Sequence, residues 1–176
     1  MPENWDDRAA FCLVCGASLE VREKYGAPRK CCTACDYVMF RSPACAAAVV
    51  VVRRRDVLLV RRGIEPYRGQ WGLPGGFQDY WESAEEAAVR EVREEAGIEV
   101  RLRRLLGVAY TTDDPRKRVN VVIYLGTPIA HDLRPGDDAV EARFFSIDHL
   151  PQPIAFANSR ALLDGLREDF PTGDLR

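Results

Sequence analysis

A run of glycines and charged residues from Gly76 to Ile98 constrains this chain more than any other part of its sequence. It reads Gly76, five residues, Glu82, seven residues, and then Arg90-Glu91-Val92-Arg93-Glu94-Glu95-Ala96-Gly97-Ile98. With about 6% of each charged residue type and about 7% glycine, chance produces this combination on the order of once per billion start positions. The run therefore indicates a functional site rather than an ordinary surface segment.

The second half of this run has the start and stop signals of an α-helix. Ser83 can cap the helix, and Glu86 follows three residues later, where a capping box requires an acidic side chain. The helix is expected to continue to about Ala96, because Gly97 can adopt the left-handed conformation that ends many helices.

Three carboxylates are expected on one face of this helix. Glu91, Glu94 and Glu95 have the spacing i, i+3 and i+4, and like charges so placed repel by about 0.2–0.5 kcal/mol per pair. A cation among them would remove that cost. Clustered carboxylate oxygens suit Mg²⁺ or Mn²⁺ better than zinc or copper.

The alternative is a solvated helix held by salt bridges, in which Arg90 pairs with both Glu86 and Glu94. That alternative does not account for Glu82 or for the glycine-rich segment 71–76. Glycines in that segment would allow backbone carbonyls to come close to a ligand.

The segment Gly76–Ile98 resembles the Nudix box and matches its pattern at every defined position. Nudix hydrolases split nucleoside diphosphates that are linked to another group, with the help of divalent cations. The resemblance implies two sets of residues. The Mg²⁺ or Mn²⁺ ligands would be Glu91, Glu94, Glu95 and the carbonyl of Gly75, and Glu82 and Arg90 would form an ion pair that shapes the loop and the helix.

The resemblance also implies a further acidic residue, from a later loop, that acts as a base or an extra ligand. The candidates are Asp138 and Glu141, which precede a predicted strand at Ala142–Ile147. Glu141 is favoured because it adjoins the strand and would be held more firmly.

Segments outside the box bear on the substrate. Ribbon-bearing Nudix hydrolases include NADH pyrophosphatases, which carry a Ser-Gln-Pro-Trp motif after the box. No such motif follows Ile98 here, and its absence argues against NADH as the substrate. The segments 64–66, 135–138 and 154–156 look like the FAD and ADP-ribose pyrophosphatase branch. The resemblance implies hydrolysis of a diphosphate of this type, with release of a nucleoside monophosphate. A non-catalytic nucleotide-sensing protein of the same fold is the alternative, although such proteins usually lose box carboxylates.

Two Cys-x-x-Cys pairs near the N-terminus have the spacing of a structural zinc site. They are Cys12 with Cys15 and Cys32 with Cys35. Cys31 could replace Cys32, although the knuckle spacing favours Cys32. Cys45 lies in an apolar segment and is expected to be a small core residue. The module is interpreted as a folding element stabilised by zinc, with a partner-binding or dimerising ribbon as the alternative.

Composition excludes some classes of protein. The formal net charge is −2, which argues against nonspecific binding to nucleic acid. No apolar run is long enough to span a bilayer, and the acidic N-terminus has no signal-peptide core. A cytoplasmic enzyme acting on a small nucleotide is expected, and the sequence leaves open whether it forms a homodimer.

The order of predicted elements indicates two domains, a zinc ribbon at 1–41 and a Nudix hydrolase domain at 42–176. Strands are predicted at Ala46–Val52 and Val57–Arg61, and a closing helix at Ala155–Phe170. Strands before and after one acidic helix fit the Nudix fold, an α/β/α sandwich with a mixed sheet.

Overall fold

The computed structural model describes residues 5–113, 117–129 and 132–169. It divides into two compact units. One comprises the described residues up to Pro43 together with residues 117 and 118, and the other comprises the remaining described residues from Ala44 onward.

The first unit is built on a small antiparallel sheet. A helical turn, α1, spans Trp5–Arg8, and strands β1 (Leu19–Lys24), β2 (Ala27–Cys32) and β3 (Val38–Met39) follow. Their order in the sheet is β1-β2-β3. Tyr25 and Gly26 connect β1 to β2, with φ angles of 52° and 71°. Positive φ at both positions is typical of the type I′ turn, whose twist matches that of the flanking strands.

The second unit contains a mixed sheet of seven strands. They are β4 (Ala44–Arg53), β5 (Asp56–Arg62), β6 (Trp71–Gly72), β7 (Gly75–Phe77), β8 (Val100–Thr111), β9 (Val119–Pro128) and β10 (Ala139–Ser146). The main order is β10-β5-β4-β9-β8, with β6 paired to β5 and β7 paired to β4. β4 and β9 run parallel, whereas the other pairs are antiparallel.

One helix covers each face of this sheet. Helix α2 (Ala84–Ala96) packs through Ala88 and Val92 on a core that includes Val49 and Val51. Helix α3 (Ala157–Asp169) packs through Leu163 and Leu166 on a second core that includes Val50 and Val52. The alternation along β4 supplies both cores, since successive side chains of a strand point to opposite faces. The predicted α/β/α sandwich with a mixed sheet is confirmed.

Two predicted positions differ from the structure, and a third is not among the described residues. Glu141 lies inside β10 rather than before it, because pairing with β5 extends back to Ala139. Phe156 has a φ of 63° and precedes α3, since a left-handed residue cannot continue a right-handed helix. Phe170, the predicted last residue of this helix, lies outside the described residues.

The prediction for Cys45 was wrong, because its side chain is exposed. Burial along β4 begins only at Ala46, where the covering layers start. Of the described helices, none combines the length and the apolar character needed to cross a bilayer.

Candidate functional site

Helix α2 has the boundaries that its sequence predicts. The Ser83 hydroxyl accepts a hydrogen bond from the Glu86 N–H at 3.2 Å, and the Glu86 carboxylate accepts one from the Ser83 N–H at 2.7 Å. At the other end Gly97 has a φ of 71° and donates its N–H to the Arg93 carbonyl at 2.9 Å. The capping box and the left-handed glycine fix which residues of the helix face the sheet.

Strand β7 passes so close to α2 and β4 that it requires glycine. A Cβ atom on Gly76 would lie 2.5 Å from Oε1 of Glu91, and one on Gly75 would lie 2.7 Å from the Cα of Ala48. The Gly75 N–H donates to Oε2 of Glu95 at 2.8 Å. The two glycines thus bring a strand backbone directly against the carboxylates of the helix.

Arg90 connects most of the acidic residues of the site. Its guanidinium contacts both carboxylate oxygens of Glu82, with nitrogen–oxygen distances of 3.1 and 2.6 Å. It also donates to Glu91 at 2.7 Å, to Glu94 at 2.9 Å and to the Phe77 carbonyl at 3.0 Å. Hydrogen bonds from Arg90 hold the pKa of Glu82 below its ordinary value.

This pattern differs from that of a solvated helix. Arg90 pairs with Glu94 as that alternative requires, but Glu86 is engaged in the capping box instead. Glu82, from the loop before the helix, pairs with Arg90 in place of Glu86. The arginine therefore ties the loop to the helix rather than bridging successive turns of an exposed surface.

Two of the box carboxylates are buried. Glu91 is 8% exposed and Glu95 is 4% exposed. Burial raises the pKa of Glu91, and it raises the pKa of Glu95 to about 8 against the lowering effect of the Gly75 hydrogen bond. Burying carboxylates without matching cations is costly, and the single guanidinium of Arg90 serves three of the four box glutamates. A divalent cation held by oxygen ligands fits this surplus of negative charge.

The loop before β10 lies against the C-terminal end of α2. The Arg134 N–H donates to the Ala96 carbonyl at 2.8 Å, and the Gly136 N–H donates to the Glu95 carbonyl at 3.4 Å. Burial is the main cause of the raised pKa values of Glu95 and Glu91, and neighbouring acids add to it. For Glu95 these are Glu91 and then Asp138, and for Glu91 they are Glu94 and then Asp137. The loop thus brings two more carboxylates toward the box.

These positions distinguish the two predicted base candidates. Asp138 belongs to the loop beside the box, and its carbonyl accepts the Gly63 N–H at 2.7 Å. Glu141 lies on β10, where its carboxylate is 3.8 Å from the guanidinium of Arg61. Sequence reasoning missed Asp137, although its place next to Asp138 after the Pro135-Gly136 turn was a signal that could have included it.

Arg62 is a second cation near the box. Its Nε donates to the Pro66 carbonyl at 2.8 Å, and its guanidinium lies 5.1 Å from the centre of the Phe156 ring. Burial raises the pKa of Glu95, and the positive charge of Arg62 partly offsets this by lowering that pKa. Tyr67 packs edge-on against Phe156, with ring centres 5.1 Å apart.

In the first unit, the four predicted thiols form one cluster. The ligand atoms of Cys12, Cys15, Cys32 and Cys35 all lie within 4.8 Å of one another. The shorter sulfur–sulfur distances are 3.5, 3.6 and 3.7 Å. A tetrahedral zinc ion with bonds of about 2.3 Å separates its sulfur ligands by about 3.8 Å, so the arrangement is compatible with zinc.

Contacts with backbone groups distinguish Cys32 from the adjacent Cys31. The N–H groups of Ala34 and Cys35 both donate to the sulfur of Cys32 at 3.3 Å. The bond from Ala34 is the main cause that lowers the pKa of the Cys32 thiol to about 6. Cys31 instead directs its sulfur toward the Arg29 carbonyl at 3.6 Å, so Cys32 supplies the fourth thiol.

The NUDIX domain model matches residues 43–164, which contain the whole acidic site. The chain belongs to the Nudix hydrolase family. An ADP-ribose pyrophosphatase from Methanocaldococcus jannaschii is 37% identical to this Nudix hydrolase over 132 residues, which cover 74% of this chain and 78% of the relative. A Nudix hydrolase from Nitrosomonas europaea has a similar crystal structure, with a TM-score of 0.83, 29% identity and 92% coverage of both chains.

One further relative aligns with most of this Nudix hydrolase. An NAD-capped RNA hydrolase, NudC, from Pseudomonas aeruginosa is 28% identical over 164 residues. The alignment covers 91% of this chain, but the chain spans only 56% of the length of that relative.

Proposed function

We propose that this Nudix hydrolase uses Mg²⁺ to hydrolyse the diphosphate bond of an ADP-ribose-type substrate and releases a nucleoside monophosphate. The observation that carries the proposal is the pair of buried carboxylates, Glu91 and Glu95, held against the glycine backbone of β7. The similarity to an ADP-ribose pyrophosphatase supports this class of substrate. FAD remains a second candidate within the same class.

Glu91, Glu94, Glu95 and the Gly75 carbonyl would hold the divalent cation, for which Mn²⁺ is the alternative. When bound, the cation would neutralise the pyrophosphate oxygens and make them accessible to a nucleophile. Binding requires Glu91 and Glu94 to share or release the hydrogen bonds that they accept from Arg90. The Glu82–Arg90 pair would keep the guanidinium in place while this exchange occurs.

A water molecule must lose a proton as it attacks phosphorus. Asp138 is the better placed of the two candidate bases, because its loop is hydrogen-bonded to the end of α2. Glu141 would have to give up its contact with Arg61 before it could serve. Arg62 would hold a phosphate oxygen, since a guanidinium binds phosphate through parallel hydrogen bonds.

The test is a product assay with ADP-ribose, FAD, NADH and diadenosine polyphosphates in the presence of Mg²⁺ or Mn²⁺. AMP should form from ADP-ribose or FAD and should be lost in a Glu95→Gln variant. Tight nucleotide binding without any product would contradict the proposal and would favour the nucleotide-sensing alternative.

For the first unit we propose a structural Zn²⁺ on Cys12, Cys15, Cys32 and Cys35, within a ribbon domain at 1–41 that precedes the hydrolase domain at 42–176. The sulfur–sulfur distances and the chemistry of four thiolates support this assignment. The cytoplasmic location and the homodimer stay predictions from the sequence.

A further inference from the structure

The tip of the β1–β2 hairpin carries an aromatic residue where the backbone disfavours one. Tyr25 has a φ of 52° at the first central position of the turn, where Asn, Asp or Gly is usual. A bulky residue at positive φ is uncommon because its side chain crowds the backbone. Tyr25 as a whole residue is nevertheless 71% exposed, so it is not kept there by burial in a core.

A second exposed ring stacks beside it. Phe40, which follows β3, is 57% exposed, and its ring centre lies 5.9 Å from that of Tyr25 with an angle of 24° between the planes. Both rings carry cations on their faces: the Arg29 guanidinium is 4.7 Å from the centre of Phe40, and the Lys24 ammonium is 5.8 Å from that of Tyr25. The result is an aromatic platform with positive charge around it.

The strand register extends this positive charge across one face of the sheet. Arg22 pairs directly with Arg29 across the β1–β2 ladder, so the two side chains share a face, and Lys24 lies two residues further along it. Glu20, on the same face, forms an ion pair with Arg22. This face of the sheet therefore carries three cations and one carboxylate, although the formal net charge of the whole chain is −2.

We propose that this aromatic–cationic face, formed by Arg22, Lys24, Tyr25, Arg29 and Phe40, binds single-stranded nucleic acid. On binding, the guanidinium of Arg29 and the ammonium of Lys24 turn from the ring faces to the phosphates, and bases stack on the rings of Tyr25 and Phe40 in their place. Whole-chain net charge argues against nucleic-acid binding, but an average over the chain does not report how charge is distributed on one face. Exposed rings with cations beside them supply both contacts that a single strand needs, namely a stacking surface for bases and positive charge for phosphates.

The test is fluorescence anisotropy of a labelled single-stranded RNA of about 12 nucleotides, titrated with the full-length, zinc-loaded protein at low salt. Replacing both Tyr25 and Phe40 by Ala should weaken binding at least about tenfold, because each stacked base is lost. Tyr25→Phe keeps a ring and should retain wild-type affinity. Phe11→Ala is the matched control, since Phe11 is an equally exposed ring of the same unit at 67%, and it should leave binding unchanged.

Phosphate contacts are tested by salt dependence. Lys24→Gln and Arg29→Gln should each reduce the slope of log affinity against log salt by about 0.7, the value expected for one phosphate contact on a single strand. Zinc content and ADP-ribose hydrolysis, measured on the same variants, should stay at wild-type levels. Failure of the wild type to bind RNA, or equal binding by the double Ala variant, would overturn this inference and leave the proposed hydrolase activity intact.

Discussion

At the scale of single residues, Glu95 has the most restricted environment in the acidic site. It is almost completely buried, its pKa is raised to about 8 by that burial, and the backbone N–H of Gly75 is its hydrogen-bond donor among the described residues. Such a carboxylate contributes little to stability by itself, because its desolvation opposes folding. Its position is therefore better explained by ligand binding than by stabilisation of the fold.

Glu95→Gln should reduce turnover of ADP-ribose by at least about a hundredfold while the protein stays folded, because the amide keeps the shape of the side chain but not its charge. The measurements are turnover at saturating Mg²⁺ and the thermal midpoint with and without Mg²⁺. The wild type should gain thermal stability from Mg²⁺ and the variant should gain less.

Glu99→Gln provides the control, since Glu99 is an exposed glutamate just beyond the same helix and should behave like the wild type. Activity of Glu95→Gln within a few-fold of wild type would refute the ligand assignment. A collapse in stability would instead show that the carboxylate is structural.

The base is tested by replacing Asp138 with Asn and Glu141 with Gln, one at a time. The position of Asp138 beside the end of α2 leads us to expect the larger loss of turnover, about 10²–10⁴-fold, for Asp138→Asn. Glu141→Gln should have the smaller effect, because Glu141 faces Arg61. Full activity in both variants, measured at saturating Mg²⁺, would exclude both residues as the base.

At the scale of elements, the site depends on the approach of β7 to α2. The strand contributes only three residues, yet it is anchored to β4 through the pairs Ala46–Phe77, Ala47–Gly76 and Ala48–Gly75. Because β4 is buried in the middle of the sheet, this pairing gives β7 a rigid support. The helix is fixed independently by its caps, so the distance between the two elements is set before any ligand binds.

Gly76→Ala should lower activity by at least tenfold, because the new Cβ would lie 2.5 Å from the Glu91 carboxylate and displace it. Steady-state turnover and urea unfolding are the measurements. Gly165→Ala is the matched control: it lies in α3, where a Cβ meets nothing within 4 Å. It should leave activity unchanged and raise stability by about 0.5–1 kcal/mol through helix propensity. Equal activity of the two variants would show that the close approach of β7 is dispensable.

At the scale of the whole molecule, the two units differ in how much apolar core they contain. The second unit has two hydrophobic cores, one on each face of its sheet. The first unit has about forty residues, and β1 is exposed along most of its length. A unit of that size buries too little apolar surface to fold readily without a metal or a disulfide.

Elemental analysis of protein purified without added metal should find about one zinc per chain, bound by four thiolates. Cys32→Ser should remove most of this zinc, whereas Cys31→Ser should retain it. Of these two adjacent cysteines, Cys32 belongs to the thiol cluster and Cys31 directs its sulfur toward the Arg29 carbonyl. Two disulfides in place of the metal, or equal zinc content in the two variants, would contradict the assignment.

Features set by neighbours along the chain were predictable from the sequence. The limits of α2 follow from a capping pair three residues apart and from one glycine, and the thiol cluster follows from two Cys-x-x-Cys pairs. The spacing of Glu91, Glu94 and Glu95 likewise places them on one face of any helix that they occupy. The helix caps, the glutamate spacing and each Cys-x-x-Cys pair span only a few residues, so they can be interpreted without knowledge of tertiary contacts.

Other features were decided only by the tertiary structure. Glu141 belongs to a strand because β5 offers it a pairing partner, and Cys45 is exposed because burial along β4 begins one residue later. Asp137 comes near the box because the loop that holds it is hydrogen-bonded to the end of α2. Hydrophobicity and spacing along the chain do not encode these outcomes, since each depends on which surface of a distant segment packs against the residue.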